Sequence, residues 1–351
     1  MMTNVRLRGE EIRNYLLQTI GNASYPVTVA ELCSTASARF GVTKSAISKH
    51  IRELRDLIDF EQSVGRTKTC VLRQLNRIEL EYSISGSGCL DEMTVFMHDI
   101  DPNLVNMSDN AKDILSFCFT EMFNNVMDHS DASLARVIVA NTAISTMIII
   151  ADNGIGIFRK VKEALNLPDE RQSLLELSKG KFTTDPNNHT GEGIFFSSRA
   201  CDMFAIASNG LIFSHTQDMA HDILTKVNPS EGNPGTFVLM SVNNNSPRKL
   251  RDVFDQYSSV DGGFTSTEVP VKLIQYKNEG LISRSQAKRL LSRVDKFKFV
   301  TLDFENISFI GQAFADQIFR VFAREHPDIQ VTVKNACPDI IKAIKIAQNN
   351  T

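Results

Sequence analysis

No two cysteines in this sequence form a CxxC pair, and no histidine cluster accompanies them. The six thiols, at positions 33, 70, 89, 118, 201 and 337, are scattered, which argues against a zinc site and offers no disulfide framework. A reducing cytoplasm is the expected setting. Long apolar runs are missing too. The most apolar stretch, residues 137–151, is broken by Asn141 and Thr142 and falls short of the ~20 residues a spanning helix needs, so no membrane partner is expected. The opening Met-Met-Thr-Asn-Val-Arg lacks the apolar core, about 7–15 residues long, of an export signal. Tryptophan is absent, and with 42% hydrophobic and 23% charged residues the composition is otherwise that of ordinary globular domains. A chain of 351 residues exceeds what one core supports and predicts two or three domains.

The net charge of −3 hides an asymmetry. Residues 1–77 hold 12 Lys+Arg against 7 Asp+Glu, and the remainder 26 against 34. A basic head on an acidic body points to a polyanionic partner for the head.

Within residues 1–76, apolar positions 12, 16, 17 and 20 predict a first helix. Thr28 caps a second over residues 29–40, Gly41 ends it, and Thr43 caps a third from 44 to about 57. One face of the third helix carries Lys44, Ser45, Ser48, Lys49 and Arg52, residue types that reach phosphates and base edges in a major groove. Two extended runs follow, 60–64 and 69–75, joined by Gly65-Arg66-Thr67-Lys68. The segment resembles the winged helix-turn-helix family of bacterial regulators. The resemblance implies DNA as partner, with Arg66 and Lys68 on a basic wing; a protein-contact role for the same face stays open.

Residues 108–130 predict a helix capped by Ser108, with Leu115, Phe119, Met122 and Val126 on its buried stripe. Glu121, Asn125 and Asp128 recur on another stripe. A carboxamide oxygen there can ligate Mg²⁺ while a carboxylate one turn away orients or deprotonates water. Two strands, 137–141 and 146–151, then lead into Asp152-Asn153-Gly154-Ile155-Gly156. A strand-end carboxylate before two glycines can accept a hydrogen bond from an adenine amine as the chain passes close to the base. Farther on, Thr190-Gly191-Glu192-Gly193 precedes a helix expected from 194 to about 203, whose first amides can hold an anion. The polar residues 178–189 between the glycine motifs, Lys181 and Thr183 among them, predict a loop able to order over phosphates.

These motifs, with Gly235-Thr236-Phe237-Val238-Leu239 after them, resemble in order the GHKL ATPases, which include gyrase, MutL, the heat-shock chaperone and bacterial histidine and anti-sigma kinases. The resemblance spans roughly residues 77–243, within a domain taken as 77–245, and implies a Bergerat α/β sandwich binding ATP and Mg²⁺. It makes Glu121 the general base, Asn125 the magnesium ligand and Asp152 the adenine reader, with Asp128 on the same helix face. Gly154 and Gly156 form the first glycine box, Gly191 and Gly193 the second, and Thr236 supports the adenine contact. Lys181 and Thr183 fall in a lid taken as 158–190. His98 and His129 occupy no helical hairpin with an acidic neighbour, so histidine autokinase activity is not expected. Related ATPases dimerise, which implies a possible homodimer.

Residues 246–263 read as a linker built from a helix to about 257 and Gly262-Gly263. From 264 to 351 strands (268–274, 299–304, 329–333) alternate with helices (283–294, 311–323, 338–347), predicting a small α/β domain. The run from Val300 to Gly311 before a helix resembles STAS domains. Those that act as anti-sigma antagonists accept phosphate on a serine at the helix start; here Ala313 stands there, preceded by Gln312, and Ser308 lies nearby. A protein-contact domain is implied. The expected fold is therefore multidomain α+β: winged helix, GHKL sandwich, STAS-like domain. Three functions stay open: a regulator coupling ATP hydrolysis to DNA or partner binding, a protein serine kinase of the anti-sigma type, and an adaptor stabilised by nucleotide.

Overall fold

The computed structural model of the chain describes residues 2–23, 25–62, 68–84, 91–183, 191–217, 223–226, 235–259, 263–275 and 280–349, with the backbone alone at 2–7, 62 and 223–226. The chain is a mixed α/β protein of several sheets and packed helices. Among the described residues no helix is long and apolar enough to cross a membrane.

The first unit opens with α1 (Met2–Gly21), followed by β1 (Val27–Thr28), α2 (Val29–Phe40), α3 (Lys44–Glu53), β2 (Ile58–Gln62) and β3 (Lys68–Leu72). Its boundaries follow from local chemistry. Thr28 and Glu31 form a reciprocal capping box at the start of α2, satisfying two otherwise orphaned amides. Gly41 ends that helix in the left-handed conformation at φ 61°. The third helix stops at Glu53, short of 57. There the Leu54 amide bonds back into the helix and that of Leu57 bonds to the Leu54 carbonyl, so that Ile58 enters β2 opposite Leu72. Strand pairing thus overrides helical periodicity. Ile12, Leu16, Ile47, Ile51 and Ile58 form a core of their own, joined by Ile144 from the next unit.

The second unit comprises β4 (Asn76–Ser83), α4 (Glu92–Val95), α5 (Asp109–His129), β5 (Leu134–Asn141), β6 (Ser145–Asp152), α6 (Ile157–Ala164), α7 (Glu170–Lys179), α8 (Gly193–Ala200), β7 (Met203–Ser208), β8 (Leu211–Thr216), β9 (Ile223–Lys226) and β10 (Thr236–Asn243). Among the described residues these strands make one seven-stranded sheet in the order β4-β5-β6-β10-β7-β8-β9, antiparallel at every pairing. Alternate residues such as Ile148, Ile150, Val238 and Ile206 point beneath α5 and α8 into the core, the period-two pattern of a sheet covered on one side.

Two expectations change here. The stretch 158–190 is not one loop: it contains α6 and α7. Asp169 caps α7 by accepting from the amides of Arg171 and Gln172, and Ser173, Leu174, Leu175 and Leu177 are buried. Ser178 and Lys179, expected in a polar loop, end that helix and are buried too. The helix expected to reach 203 stops at Ala200, because Cys201 turns extended and Met203 pairs with Ser241 in the sheet.

The last unit contains α9 (Leu250–Tyr257), β11 (Ser266–Pro270), α10 (Arg284–Leu290), β12 (Phe299–Asp303), α11 (Gln312–Asp316), α12 (Ala323–Glu325), β13 (Gln330–Lys334) and α13 (Pro338–Asn349). A π-helical segment, Gln317–Phe322, joins α11 to α12. The strands form a parallel sheet, β11-β12-β13. Residues 246–263 are not a free tether where they are described. Phe254 meets Phe117 and Phe196 edge-on at 5.2 and 4.6 Å, and Tyr257 meets Phe195 at 4.9 Å. A continuous buried core runs from α5 through α8 and α9 into the parallel sheet.

Candidate functional site

A cavity of about 370 Å³ opens between α5, the end of β6 and the start of α8, within the size range of small-molecule sites. Glu121 and Asn125 of α5, Asp152 at the end of β6, Gly156 after it, Thr183, Gly191, Gly193 and Thr236 all line it. Eight sequence-predicted residues, from five separate stretches of chain, line one cavity.

The β6 end is fixed by backbone. Asp152 is 7% exposed, and its Oδ1 accepts from the amides of Gly154 (2.8 Å) and Thr236 (3.2 Å). Burial pushes its carboxyl above the usual range, while those two amides and the Thr236 side chain pull the other way. The Thr236 hydroxyl oxygen accepts from the Ile157 amide at 3.0 Å, tying the first turn of α6 to β10. Asn153 accepts from the amides of Ser133 and Leu134, both at 3.0 Å. Gly154 lies so close to α5 that a Cβ would stand 2.1 Å from the Ser130 carbonyl oxygen. Gly156 takes φ 87° at the helix start, a region that favours glycine.

Gly235 carries no lining role, yet a Cβ there would stand 1.7 Å from the Asp152 carbonyl oxygen. The strand-end acid and β10 meet only because that position is bare. The glycine precedes Thr236 in the motif, so its signal was present in the sequence.

Across the cavity, Gly193 lies against the acid on α5. A Cβ there would meet Glu121 Oε2 at 2.1 Å, so glycine leaves a cradle between the carboxylate and the start of α8. Gly191 takes φ 72° and packs against the Phe182 backbone, with the Phe182 amide donating to the Gly191 carbonyl at 3.2 Å. Asn125 Nδ2 approaches Met122 Sδ at 3.9 Å. Among the described residues no group of three or more His, Cys, Asp or Glu side chains is arranged to hold a metal ion, so a cation here would rest on Asn125 and on the oxygens of a bound ligand.

Three named residues fall outside the cavity wall: Gly154, packed on the Ser130 carbonyl, and Asp128 and Lys181. Asp128 is exposed and outside the cavity wall. The wall crosses α5 obliquely, from Asn124 and Glu121 to His129 and Ser130, and Asp128 lies about 100° round the helix from His129. Lys181 also turns away. Its amine donates to the Lys296 carbonyl at 2.9 Å and lies 4.7 Å from the Phe297 ring centre. Burial lowers its pKa, with Glu192 opposing that shift and Lys296 adding to it. Residues 184–190, including Thr190, lie outside the described residues.

Sequence reasoning missed Lys160, which lines the cavity from α6 and holds Asp131 at 3.5 Å. It also missed the apolar floor of Ile157, Ile206 and Val238. The floor was readable in principle, since Val238 pairs with Ile206 on one side and Ile150 on the other, all on the face that carries Asp152.

On the first unit, Lys44, Ser45, Lys49, Arg52 and Lys68 are exposed. Ser48 is half-buried, its hydroxyl donating to the Lys44 carbonyl at 3.0 Å and lying 3.4 Å from Cys33 Sγ. Arg66 lies outside the described residues. The one acid on α3, Glu53, is engaged by Arg13 (3.0 Å) and His50 (3.2 Å).

Residues 286–340 match the family model of a STAS-like domain of unknown function (DUF4325), so the C-terminal unit carries a STAS-like domain. No curated protein matches the chain.

Proposed function

We propose that this chain is an ATP-binding regulatory protein whose middle unit is a GHKL-type ATPase and whose first unit is a winged helix that meets DNA. One observation carries the reading: a single cavity receives the strand-end acid Asp152 at one end and the Glu121–Asn125 pair with Gly193 at the other. The residues fit the ligand. Asp152 Oδ1 is committed to two amides, and Oδ2 is the oxygen suited to accept from the exocyclic amine of adenine. The apolar floor suits the faces of a purine, while Gly191 and Gly193 let backbone approach phosphates closely.

Asn125 would hold Mg²⁺ through its amide oxygen together with the phosphates, which is the sparse protein ligation this ion favours. When bound, the ion would supply neutralisation of phosphate charge. Glu121 accepts the proton of the attacking water, and Gly193, lying against that carboxylate, fixes where it points. Regulation follows if ATP binds two arrangements of the chain with different affinity. The exposed cations of α3 and Lys68 supply the phosphate contacts of the DNA reading.

Calorimetry with Mg-ATP tests the site. Binding is expected for the parent, and Asp152→Asn should weaken it by roughly 10–100-fold, because a charge-assisted hydrogen bond is worth ~1.5–3 kcal/mol. Undiminished binding by the variant would remove the adenine assignment. ATP labelled at the terminal phosphate then separates the reactions: label in free phosphate supports hydrolysis, label on protein a serine kinase, and label left in ATP an adaptor. A low-salt shift assay comparing the parent with Lys49→Glu/Arg52→Glu tests the first unit, and no retention of DNA by the parent ends that part of the reading.

A further inference from the structure

The STAS-like domain reaches the cavity wall through a buried ionic cluster. Glu176, in the last turns of α7, is 2% exposed, and Lys179 is 1% exposed. The Lys179 amine donates to Glu176 Oε1 (2.8 Å), the Ser292 carbonyl (2.7 Å) and the Arg289 carbonyl (3.4 Å). Arg293 completes the cluster. Its Nη1 donates to Glu176 Oε2 at 3.1 Å and its Nη2 to the Lys181 carbonyl at 2.5 Å. Its guanidinium also lies 5.2 Å from the centre of the Phe182 ring, and Phe182 lines the cavity and bonds to Gly191. Thr267 of β11 donates to the Lys179 carbonyl at 2.7 Å.

Burying charge is expensive unless it is paired; Glu176 and Lys179 are buried and Arg293 half-buried, and the two cations share the one carboxylate and complete their bonding on main-chain carbonyls. Arg293 holds φ 59°, a conformation unfavourable for most side chains, at the one position where its fork spans both Glu176 and the Lys181 carbonyl. Lys179 and Lys181 are likewise held by main-chain oxygens of residues 289–296 rather than turned to the cavity. The wall from 179 to 182 is therefore shaped by the last domain as much as by its own.

We propose that Arg293 is a positioning residue for the cavity, and that the STAS-like domain thereby regulates it: the seating of Arg293 on Glu176 and Lys181 and the closed arrangement of Phe182 against Gly191 favour each other. Coupling of this kind is reciprocal. A ligand that prefers the closed arrangement tightens the contact between α7 and α10, and a partner that pulls at residues 289–296 loosens the ligand. The regulatory role rests on the nucleotide reading above; the coupling of Arg293 to the wall does not.

Hydrogen exchange on the full chain separates the two. Arg293→Asn removes the fork and keeps a residue that tolerates positive φ, and Lys179→Met serves as a second variant that leaves Glu176 paired with Arg293. Without nucleotide, Arg293→Asn should speed exchange in peptides covering 180–183 and 191–196, leaving 114–119 of α5 unchanged. Lys179→Met should do the same more weakly. With Mg-ATP, the parent should slow exchange at 289–297, and Arg293→Asn should bind about tenfold more weakly, a coupling of ordinary size, and lose that distant response. Unchanged exchange at 180–183 and 191–196 in a folded Arg293→Asn overturns the proposal. So does a parent that binds Mg-ATP with no response at 289–297. A parent that gives no heat with Mg-ATP while Arg293→Asn still loosens the wall defeats the nucleotide reading and leaves the coupling standing.

Discussion

The two ends of the cavity are built by different means. At the β6 end, Asp152, Gly154, Gly235 and Thr236 are held by strand register and by main-chain contacts so close that a single Cβ would strike a carbonyl oxygen at 1.7 or 2.1 Å. At the α8 end, Gly193 lies against the Glu121 side chain and Gly191 against the Phe182 backbone, where a Cβ would stand 2.3 Å from the carbonyl oxygen, but Phe182 belongs to no helix or strand and its ring is steered by Arg293 from another domain. Strand backbone cannot yield without shifting the sheet, whereas side chains and irregular backbone can. The first end is therefore preorganised and the second adjustable, which suits recognition at one and a switch at the other.

The largest effect that would sharpen this contrast is on turnover. If Glu121 is the base, Glu121→Gln should cut hydrolysis of ATP by about 10²–10⁴-fold, the usual worth of a positioned acid or base, with affinity in calorimetry close to that of the parent. A matching loss of affinity would show that Glu121 serves binding, and the division of labour between the ends would fail.

Next come the two glycines. Gly235→Ala forces a Cβ onto the Asp152 carbonyl and should lower stability in urea unfolding by about 2–3 kcal/mol, the upper part of the overpacking range. Gly193→Ala meets the Glu121 side chain instead, Oε2 at 2.1 Å and Cβ at 3.2 Å. It should cost under ~1 kcal/mol in stability yet slow turnover by roughly 100-fold, since about an ångström of misplacement has that effect. Equal stability losses for the two variants would erase the distinction drawn here.

The preorganised end was also the legible one. Asp152 closes an alternating strand and is followed by its glycines, so local pattern and tertiary role coincide. Thr28 and Gly41 bound α2 at the residues expected for the same reason. The adjustable end was legible only in part: Glu121, Asn125, Gly191 and Gly193 do line the cavity, but what covers them was not. Polar residues 178 and 179 read as loop, but both are buried, Lys179 by its bonds to the Arg289 and Ser292 carbonyls and from Thr267, and nothing local announces partners supplied from residues 267–292. Lys181 was assigned to the ligand because it falls in the lid that the resemblance implies, whereas its backbone takes φ 54° and its amine reaches the Lys296 carbonyl. Asp128 shares helical phase with Glu121 and Asn125, but the cavity crosses the helix at a slant that periodicity does not encode. The STAS-like stretch was readable because its strand and helix alternation is local.

The smallest expected effect bears on what preorganisation costs. Asp152 is an acid whose pKa in the folded chain lies above its ordinary 3.8, with burial the leading cause. A carboxyl raised on folding contributes its stability below the unfolded pKa, and that contribution is lost as pH rises through the folded value. At neutral pH the buried carboxylate is therefore a net cost, tolerated despite the two amides on Oδ1. An asparagine side chain keeps an oxygen for those amides and carries no charge to bury. Asp152→Asn should accordingly be at least as stable as the parent at pH 7 without nucleotide, with its relative advantage shrinking as pH falls through the folded pKa toward 4, when both side chains are neutral. Urea unfolding of both proteins across that range measures it. A variant less stable than the parent at pH 7 and recovering in acid would mean the carboxylate stabilises the fold, leaving the strand-end acid with a structural reason to be there and weakening the case that it is held ready for a ligand.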